Sequence, residues 1–431
     1  MKTTARWYIK FLQWKTQYLT HRQFILLLCG LVGVATGFAA LAMRSLTHFI
    51  EEVLVGNIIR YINYGFYVIF PAVGFLLVYW VKKYIIRKEV SHGIPSILYA
   101  VAKQKGIMKR FQAYGSILTA PITIGFGGSV GLEGPMVVTG AGISSQVARL
   151  FHINQSDRML LLACACAAAL AAIFKVPLAG ILFAIEVFGL DLTLSSLLPL
   201  FVASLSGVLT SYIFFGNAAL LPIYVGDSFL MHNIPFYLLL GVVGGFMSAY
   251  FTFVYEGVNR FFSKFSSAYL RIVIGGAILG LLVFVMPPLY GEGHEVINHL
   301  KAGHPELSIS SNIFGWNLEN PWVVILLLGG LVLFKVVATS VTFGAGGVGG
   351  IFSPMLFMGG VMGNCFARII NQIDILPYKL PLANFTLIGM TALMTGVLHA
   401  PLTAIFLIAE VTGGYSLFVP AMVTAVVSFY S

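Results

Sequence analysis

The sequence predicts an all-α, polytopic membrane protein made of two related halves, and three observations carry that reading. Of its 431 residues, 58% are hydrophobic and only 9% charged, where a soluble domain carries roughly a quarter charged residues. Apolar runs such as "FILLLCGLVGVATGFAALAM", "FYLLLGVVGGFMSAYFTFVY" and "VVILLLGGLVLFKVVA" recur along the chain. Each is near the ~20 residues that a helix needs to span the hydrocarbon of a bilayer. Finally, the chain contains a diverged copy of itself. A transmembrane β-barrel is excluded, because polar and apolar residues do not alternate.

At the N-terminus, Trp7, Phe11, Trp14 and Tyr18 fall at helical spacing with Lys2, Arg6, Lys10 and Lys15 between them. Residues 1–23 therefore read as a basic amphipathic helix lying in the membrane surface. The apolar run from Phe24 is too long for a signal-peptide core and lacks a small-residue cleavage pattern, so it stays in the mature protein. The net charge of +10 is uneven. Lys82, Lys83, Arg87, Lys88, Lys103, Lys105, Lys109 and Arg110 crowd one loop against a single Glu89. By the positive-inside tendency, that loop and the N-terminus are cytoplasmic, in a plasma or inner membrane. Nucleic acid is not a partner, since no soluble domain carries the basic charge. Cys29, Cys164, Cys166 and Cys365 all lie in apolar runs and read as packing residues, not as a metal site.

Self-comparison gives the domain organisation. "GPMVVTGAGISSQVAR" (134–149) aligns with "SPMLFMGGVMGNCFAR" (353–368), placing Pro135 219 positions before Pro354. "KVPLAGILFAIEVFG" (175–189) aligns with "HAPLTAIFLIAEVTG" (399–413), placing Glu186 224 positions before Glu410. A first membrane repeat then covers 24–215 and a second 235–431. Repeats of this kind mark transport proteins, whose substrate sites form where the halves meet.

Three glycine-rich breaks end in proline: "SHGIP" (91–95), "GLEGP" (131–135) and "GGIFSP" (349–354). Proline is favoured in a first helical turn, so each break reads as a helix start. Inside a membrane such ends are tolerated where protein or a wet cavity covers them. Their free N–H groups and positive dipole ends suit an anion. They do so without a full positive charge, which would hold a permeating anion too tightly to release it.

These motifs resemble those of the CLC chloride channels and chloride/proton exchangers, whose signatures are GSGIP, G(R/K)EGP and GxFxP. The chain has them in the same order, with "PLAGILFAIE" and "EVTGGYSLFVP" also similar. The resemblance runs from about residue 25 to 431. It implies a CLC-type fold of two inverted-topology repeats with broken, re-entrant helices, assembled as a homodimer in the bilayer. It implies no enzyme activity and no cofactor, with chloride bound as substrate. By the match to G(R/K)EGP, Glu133 is the gate: as a carboxylate it occupies an anion position that it vacates when protonated or displaced. The match assigns anion contacts to His92, Gly93 and Ile94, to Gly131, Leu132 and Gly134, to Gly350, Ile351 and Phe352, and to the hydroxyl of Tyr415. Many members continue into a cytoplasmic pair of CBS modules, and nothing in this chain corresponds to it.

Three positions depart from the pattern. His92 stands where GSGIP has serine; its imidazole either offers an N–H to the anion or points away while backbone does the binding. Fluoride exchangers of the family differ at that serine and at the tyrosine, so retention of Tyr415 favours chloride. Leu132 replaces the basic residue before the gate. Val187 stands where proton-coupled members carry an internal glutamate, and valine cannot relay a proton. Glu186, just before it, and Glu410 read as caps on polar groups at helix ends, with proton transfer through Glu186 the lesser alternative. The expectation is a voltage- or pH-gated chloride channel or weakly coupled conductor, with chloride/proton antiport as the alternative.

Two motifs mislead. "GAGGVG" (344–349) satisfies GxGxxG but lacks a βαβ context. "HEVINH" (294–299) resembles HExxH with the second histidine one residue late, off the helix face that His294 would present to zinc. An intramembrane hydrolase remains the remote alternative, and "GHEVINHL" reads as a loop or short helix between spans.

Overall fold

The computed structural model describes residues 17–59, 64–88, 90, 93–216, 229–309, 318–374 and 376–431. The first apolar run becomes α1 (His21–Glu51), started by a capping box: Thr20 accepts from the Gln23 N–H while the Gln23 side chain accepts from the Thr20 N–H. This places the start of the span at His21, three residues before Phe24, so it overlaps the end of the expected surface helix. Trp7, Phe11, Trp14 and their interleaved basic residues lie outside the described residues. Next come α2 (Phe70–Trp80), α3 (Gly93–Gln104), α4 (Gly115–Gly125), α5 (Glu133–Leu150), α6 (Gln155–Phe174), α7 (Pro177–Phe188) and α8 (Leu194–Phe215). The expected basic loop is therefore interrupted by α3. Lys82 of that segment donates to the Gly346 carbonyl at 2.9 Å.

The second half supplies α9 (Ile234–Ser263), α10 (Ala268–Val285), α11 (His294–Lys301), α12 (Glu306–Ile309) and α13 (Pro321–Gly344). It closes with α14 (Phe352–Ile373), α15 (Leu382–Leu398), α16 (Pro401–Val411) and α17 (Phe418–Tyr430). "HEVINHLK" is thus a short helix between spans. Six helices among the described residues are long and apolar enough to cross a membrane. Others are not: α4 and α16 have 11 residues each. At 1.5 Å per residue that is about 17 Å, roughly half of a ~30 Å hydrocarbon core. These short helices stop inside the protein, where neighbouring chain takes up their ends.

The core explains the low polarity. From Leu161 to Phe174 every residue of α6 is buried, as expected of a helix apolar on all sides. Cys164 and Cys166 pack there as free thiols. Between α14 and α15 the backbones nearly touch: a Cβ on Gly359 would sit 2.5 Å from the Gly389 carbonyl oxygen. Small residues permit this approach, which in a membrane substitutes for a hydrophobic drive.

The two halves are inverted copies, and their hydrogen bonds show it. Gly131 and Gly350, 219 positions apart, form an antiparallel bridge in which each N–H donates to the other's carbonyl, at 2.9 and 2.8 Å. The Ser129 N–H donates to Thr342 Oγ1 at 3.1 Å, and at the same offset the Val348 N–H donates to Thr123 Oγ1 at 3.0 Å. Gly127 and Gly346 both adopt φ +95°, a turn conformation open to glycine without steric cost. Further along, α7 and α16 exchange their ends. Glu186, on the last turn of α7, accepts from the Leu402 and Thr403 N–H groups at the start of α16, both at 2.8 Å, and from the Thr403 hydroxyl. Glu410, on the last turn of α16, accepts from the Leu178 and Ala179 N–H groups at the start of α7, at 3.0 and 2.8 Å. Each carboxylate sits on the positive end of the other half's helix. Capping is the role observed for both.

Two tests follow from this symmetry. Glu186→Ala and Glu410→Ala should each lower unfolding free energy in detergent by about 2 kcal/mol, the upper range for loss of a helix cap. The matching glutamine variants, which keep an acceptor oxygen, should lose less. Gly350→Ala would set a Cβ 2.7 Å from the Gly134 nitrogen; overpacking of this kind costs about 1–3 kcal/mol, measurable as a lower melting temperature in micelles.

Candidate functional site

Glycine breaks and proline starts aim three helices at one place. The first turns of α3, α5 and α14 line a common cavity of about 460 Å³. From these starts come Gly93, Ile94 and Pro95, then Glu133 and Gly134, then Gly350, Ile351 and Phe352. The wall is otherwise largely apolar, with Val137, Leu170, Phe183, Phe343 and Leu398 among its side chains. Glu186, Val187 and His399 also line it. First-turn N–H groups have no intrahelical acceptor, so a chamber of this make offers donors and dipole ends, with apolar sides that bind nothing tightly.

Glu133 is 2% exposed. It starts α5, yet its Oε1 accepts a hydrogen bond from the hydroxyl of Ser353 in the first turn of α14. A carboxylate taken out of water costs several kcal/mol. A charge-assisted hydrogen bond returns about 1.5–3 kcal/mol and a helix N-terminus up to ~2. The sums are comparable, so the charged side chain holds its seat without being locked there. Protonation, or an anion taking over the helix ends, can tip it.

On the other side of Glu133 lies a second, wider cavity of about 810 Å³. His48, Glu51, Glu52, Glu292, His294 and Glu295 line this vestibule. His294 Nε2 is 3.0 Å from Ser353 Oγ and 3.7 Å from both Glu133 Oε1 and Glu292 Oε2. Glu292 accepts from the Leu132 N–H at 2.7 Å. Burial first, then the cations of Lys335, Arg44 and Lys301, push the His294 imidazole down to about 3, so the ring is neutral at physiological pH. Lys335, fully buried in the middle of α13, donates to the Gly291 carbonyl at 2.8 Å and lies over the Phe357 ring. It holds in place the turn that carries Glu292.

Glu133, Glu292 and His294 each bring one potential ligand atom to within 4.8 Å of the others. Arg44 and Lys335 act on the same Glu292.

Several sequence expectations change here. The Gly131 and Gly350 N–H groups donate to each other's carbonyls and the Leu132 N–H to Glu292. An N–H spent in this way is not offered to an anion. Gly131 and Leu132 also lie off the chamber wall, and Leu132 instead faces a small cavity shared with Arg44 and Glu292. Tyr415 is not brought to the chamber either. It sits in the turn between α16 and α17, 66% exposed, edge-on to Phe418. The tyrosine on the chamber wall is Tyr255, and the argument from Tyr415 against fluoride loses its footing. His92 lies outside the described residues.

Sequence reasoning missed Lys335, Glu292, His294 and Ser353. Lys335 was visible as an ionisable residue in the apolar run "LLLGGLVLFKVVATS", a position that is functional by default in a membrane. His294 was set aside with the false HExxH match.

Inverted repeats, broken helices and a buried carboxylate between two cavities define a multi-pass membrane transport protein. The family described as voltage gated chloride channel matches residues 73–431, and the chain belongs to this CLC family. A chloride/proton exchange transporter, ClcA of Salmonella arizonae, is 28% identical, covering 93% of this chain and 83% of the relative. A ClcB-like protein of Ralstonia nicotianae, named as a chloride channel protein, is 26% identical over 94% of this chain and 92% of its own length. The crystal structure of a slow cyanobacterial chloride/proton antiporter superposes with a TM-score of 0.78 at 22% identity, covering 96% of this chain and 94% of the other. The CLC-type fold expected from the sequence is the fold observed.

Ser353→Ala removes the hydroxyl that holds Glu133 in place. Stopped-flow anion efflux from proteoliposomes should then show a gate that opens more readily, with flux several-fold above wild type near neutral pH.

Proposed function

We propose that this protein exchanges chloride for protons across a membrane, with Glu133 as the shared gate. The observation that carries the reading is the position of Glu133: on the chamber wall, at the start of α5 in one repeat, hydrogen-bonded to the first turn of α14 in the other, and 3.7 Å from His294 of the vestibule. As a carboxylate it fills an anion seat. Protonated, it leaves the seat to chloride and carries the proton with it. The ClcA relative, named as a chloride/proton exchange transporter, supports exchange over the channel that Val187 suggests.

Val187 nevertheless supports a second reading, a gated conductor with weak coupling, because an apolar side chain occupies the chamber wall beside Glu186. The family resemblance supports a homodimer in lipid. The exposed apolar stripe of Leu198, Phe201, Leu205 and Leu209 on α8 is a face that such an assembly covers.

Liposomes loaded with chloride test the function, with anion efflux and proton uptake recorded together. Exchange predicts that chloride efflux drives protons uphill at a fixed ratio. Proton silence with sustained anion flux selects the gated conductor. Glu133→Gln should abolish proton movement and flatten the pH dependence of anion flux, and Glu133→Ala should do the same; wild-type behaviour from both would remove Glu133 from the mechanism.

A further inference from the structure

Glu133 is buried on the vestibule side as well, yet hydrogen-bonding atoms of His294 and Ser353 lead from the vestibule wall to it. His294 lines the vestibule. Its Nε2 is 3.0 Å from Ser353 Oγ, and that hydroxyl donates to Glu133 Oε1. The other ring nitrogen, Nδ1, is buried and makes no hydrogen bond within the protein. A neutral imidazole with one N–H and one lone pair, followed by a hydroxyl that both donates and accepts, has the two-ended chemistry that proton transfer requires.

We propose that His294 and Ser353 form a proton relay between the vestibule and Glu133, with Glu292 as the positioning carboxylate that steadies the ring. The proposal rests on Glu133 being the gate. When vestibule water moves in to meet the buried Nδ1, an excess proton it carries bonds to His294 Nδ1 as the Nε2 proton passes to Ser353 Oγ and the Oγ proton passes to Glu133 Oε1, leaving the water neutral. One O–H bond forms on Glu133, and the ring ends neutral as its other tautomer. Running the same transfers backwards returns the proton to the vestibule. A flip of the ring readies it for a second delivery in the same direction.

The charged groups around the ring favour this concerted path over a long-lived imidazolium. Lys335 from α13, Arg44 from α1 and Lys301 from α11 all repel a charged ring. Glu292 at 3.7 Å and Glu133 at the same distance attract the moving proton. Glu51, Glu52, Glu295, His48 and His299 line the vestibule behind it and present it with exchangeable protons. Phe174 meets the ring edge to face at 6.1 Å and fixes its plane.

Purified full-length chain in liposomes tests the relay, with chloride and proton fluxes measured in parallel for wild type, His294→Phe, Ser353→Ala and Ser353→Thr. The relay predicts at least a ten-fold loss of proton flux in His294→Phe while chloride efflux persists, so that the proton-to-chloride ratio collapses. In Ser353→Ala, where a loosened gate raises anion flux by itself, it predicts at least a ten-fold loss of the proton flux itself, and recovery of that flux in Ser353→Thr, which keeps the hydroxyl. A merely structural role lowers both fluxes together and leaves the ratio unchanged; that result, or a wild-type ratio in His294→Phe together with undiminished proton flux in Ser353→Ala, overturns the relay. Should His294→Phe fail to fold, the Ser353 pair decides. If wild type moves no protons, the exchange reading has failed and the relay is read from gating instead. Chloride flux then responds to a step of acid on the vestibule side, at a rate that drops at least ten-fold in His294→Phe if the relay exists and is unchanged if it does not.

Discussion

Much of the molecule depends on one backbone contact, the mutual exchange of N–H and carbonyl between Gly131 and Gly350. The two residues occupy equivalent places in the two repeats, so the contact lies on the pseudo-two-fold axis relating them. It brings the starts of α5 and α14 within van der Waals reach, with Gly134 packed on Gly350. No side chain larger than hydrogen fits there. The hydrogen bonds of Ser129 with Thr342 and of Val348 with Thr123 then fix the loops leading into the two helices. A membrane interior tolerates interrupted helices only when their loose ends are satisfied by protein. Here each half satisfies the other.

The same reciprocity governs the charges. Glu186 and Glu410 neutralise the helix ends of the opposite repeat symmetrically. At the chamber the symmetry breaks. Glu133 corresponds in the repeat to Phe352, so only one half presents a carboxylate to the other's helix end. Its partner Ser353 is a hydroxyl, worth less than the pair of backbone donors that each of the structural glutamates receives. A structural carboxylate and a movable one thus differ in how many donors hold them. That difference suits Glu133, and not Glu186, to gating.

Glycine–proline breaks, the 219-residue offset and Glu133 stand out in the primary sequence because they are local or periodic signals. The capping role of Glu186 and Glu410 was legible for the same reason, as equivalent acids at the ends of equivalent helices. Anion contacts carried over by motif were less secure. Gly131, Leu132 and Gly350 sit at the right spacing, but spacing does not say whether an N–H is already spent on another strand of chain. Tyr415 follows a recognisable "EVTGGY", yet the turn holding it faces outward.

Composition and repetition alone establish the membrane class, the duplicated architecture and the acid among the glycines, since each follows from hydrophobicity or from spacing along the chain. Which groups surround that acid is a matter of folding. Glu292 and His294 are about 160 residues from Glu133 and Lys335 about 200, and no pattern links them. They meet because two inverted halves close on each other and α11 and α13 pack behind the gate, and burial there makes charges and protons count far more than they would in water.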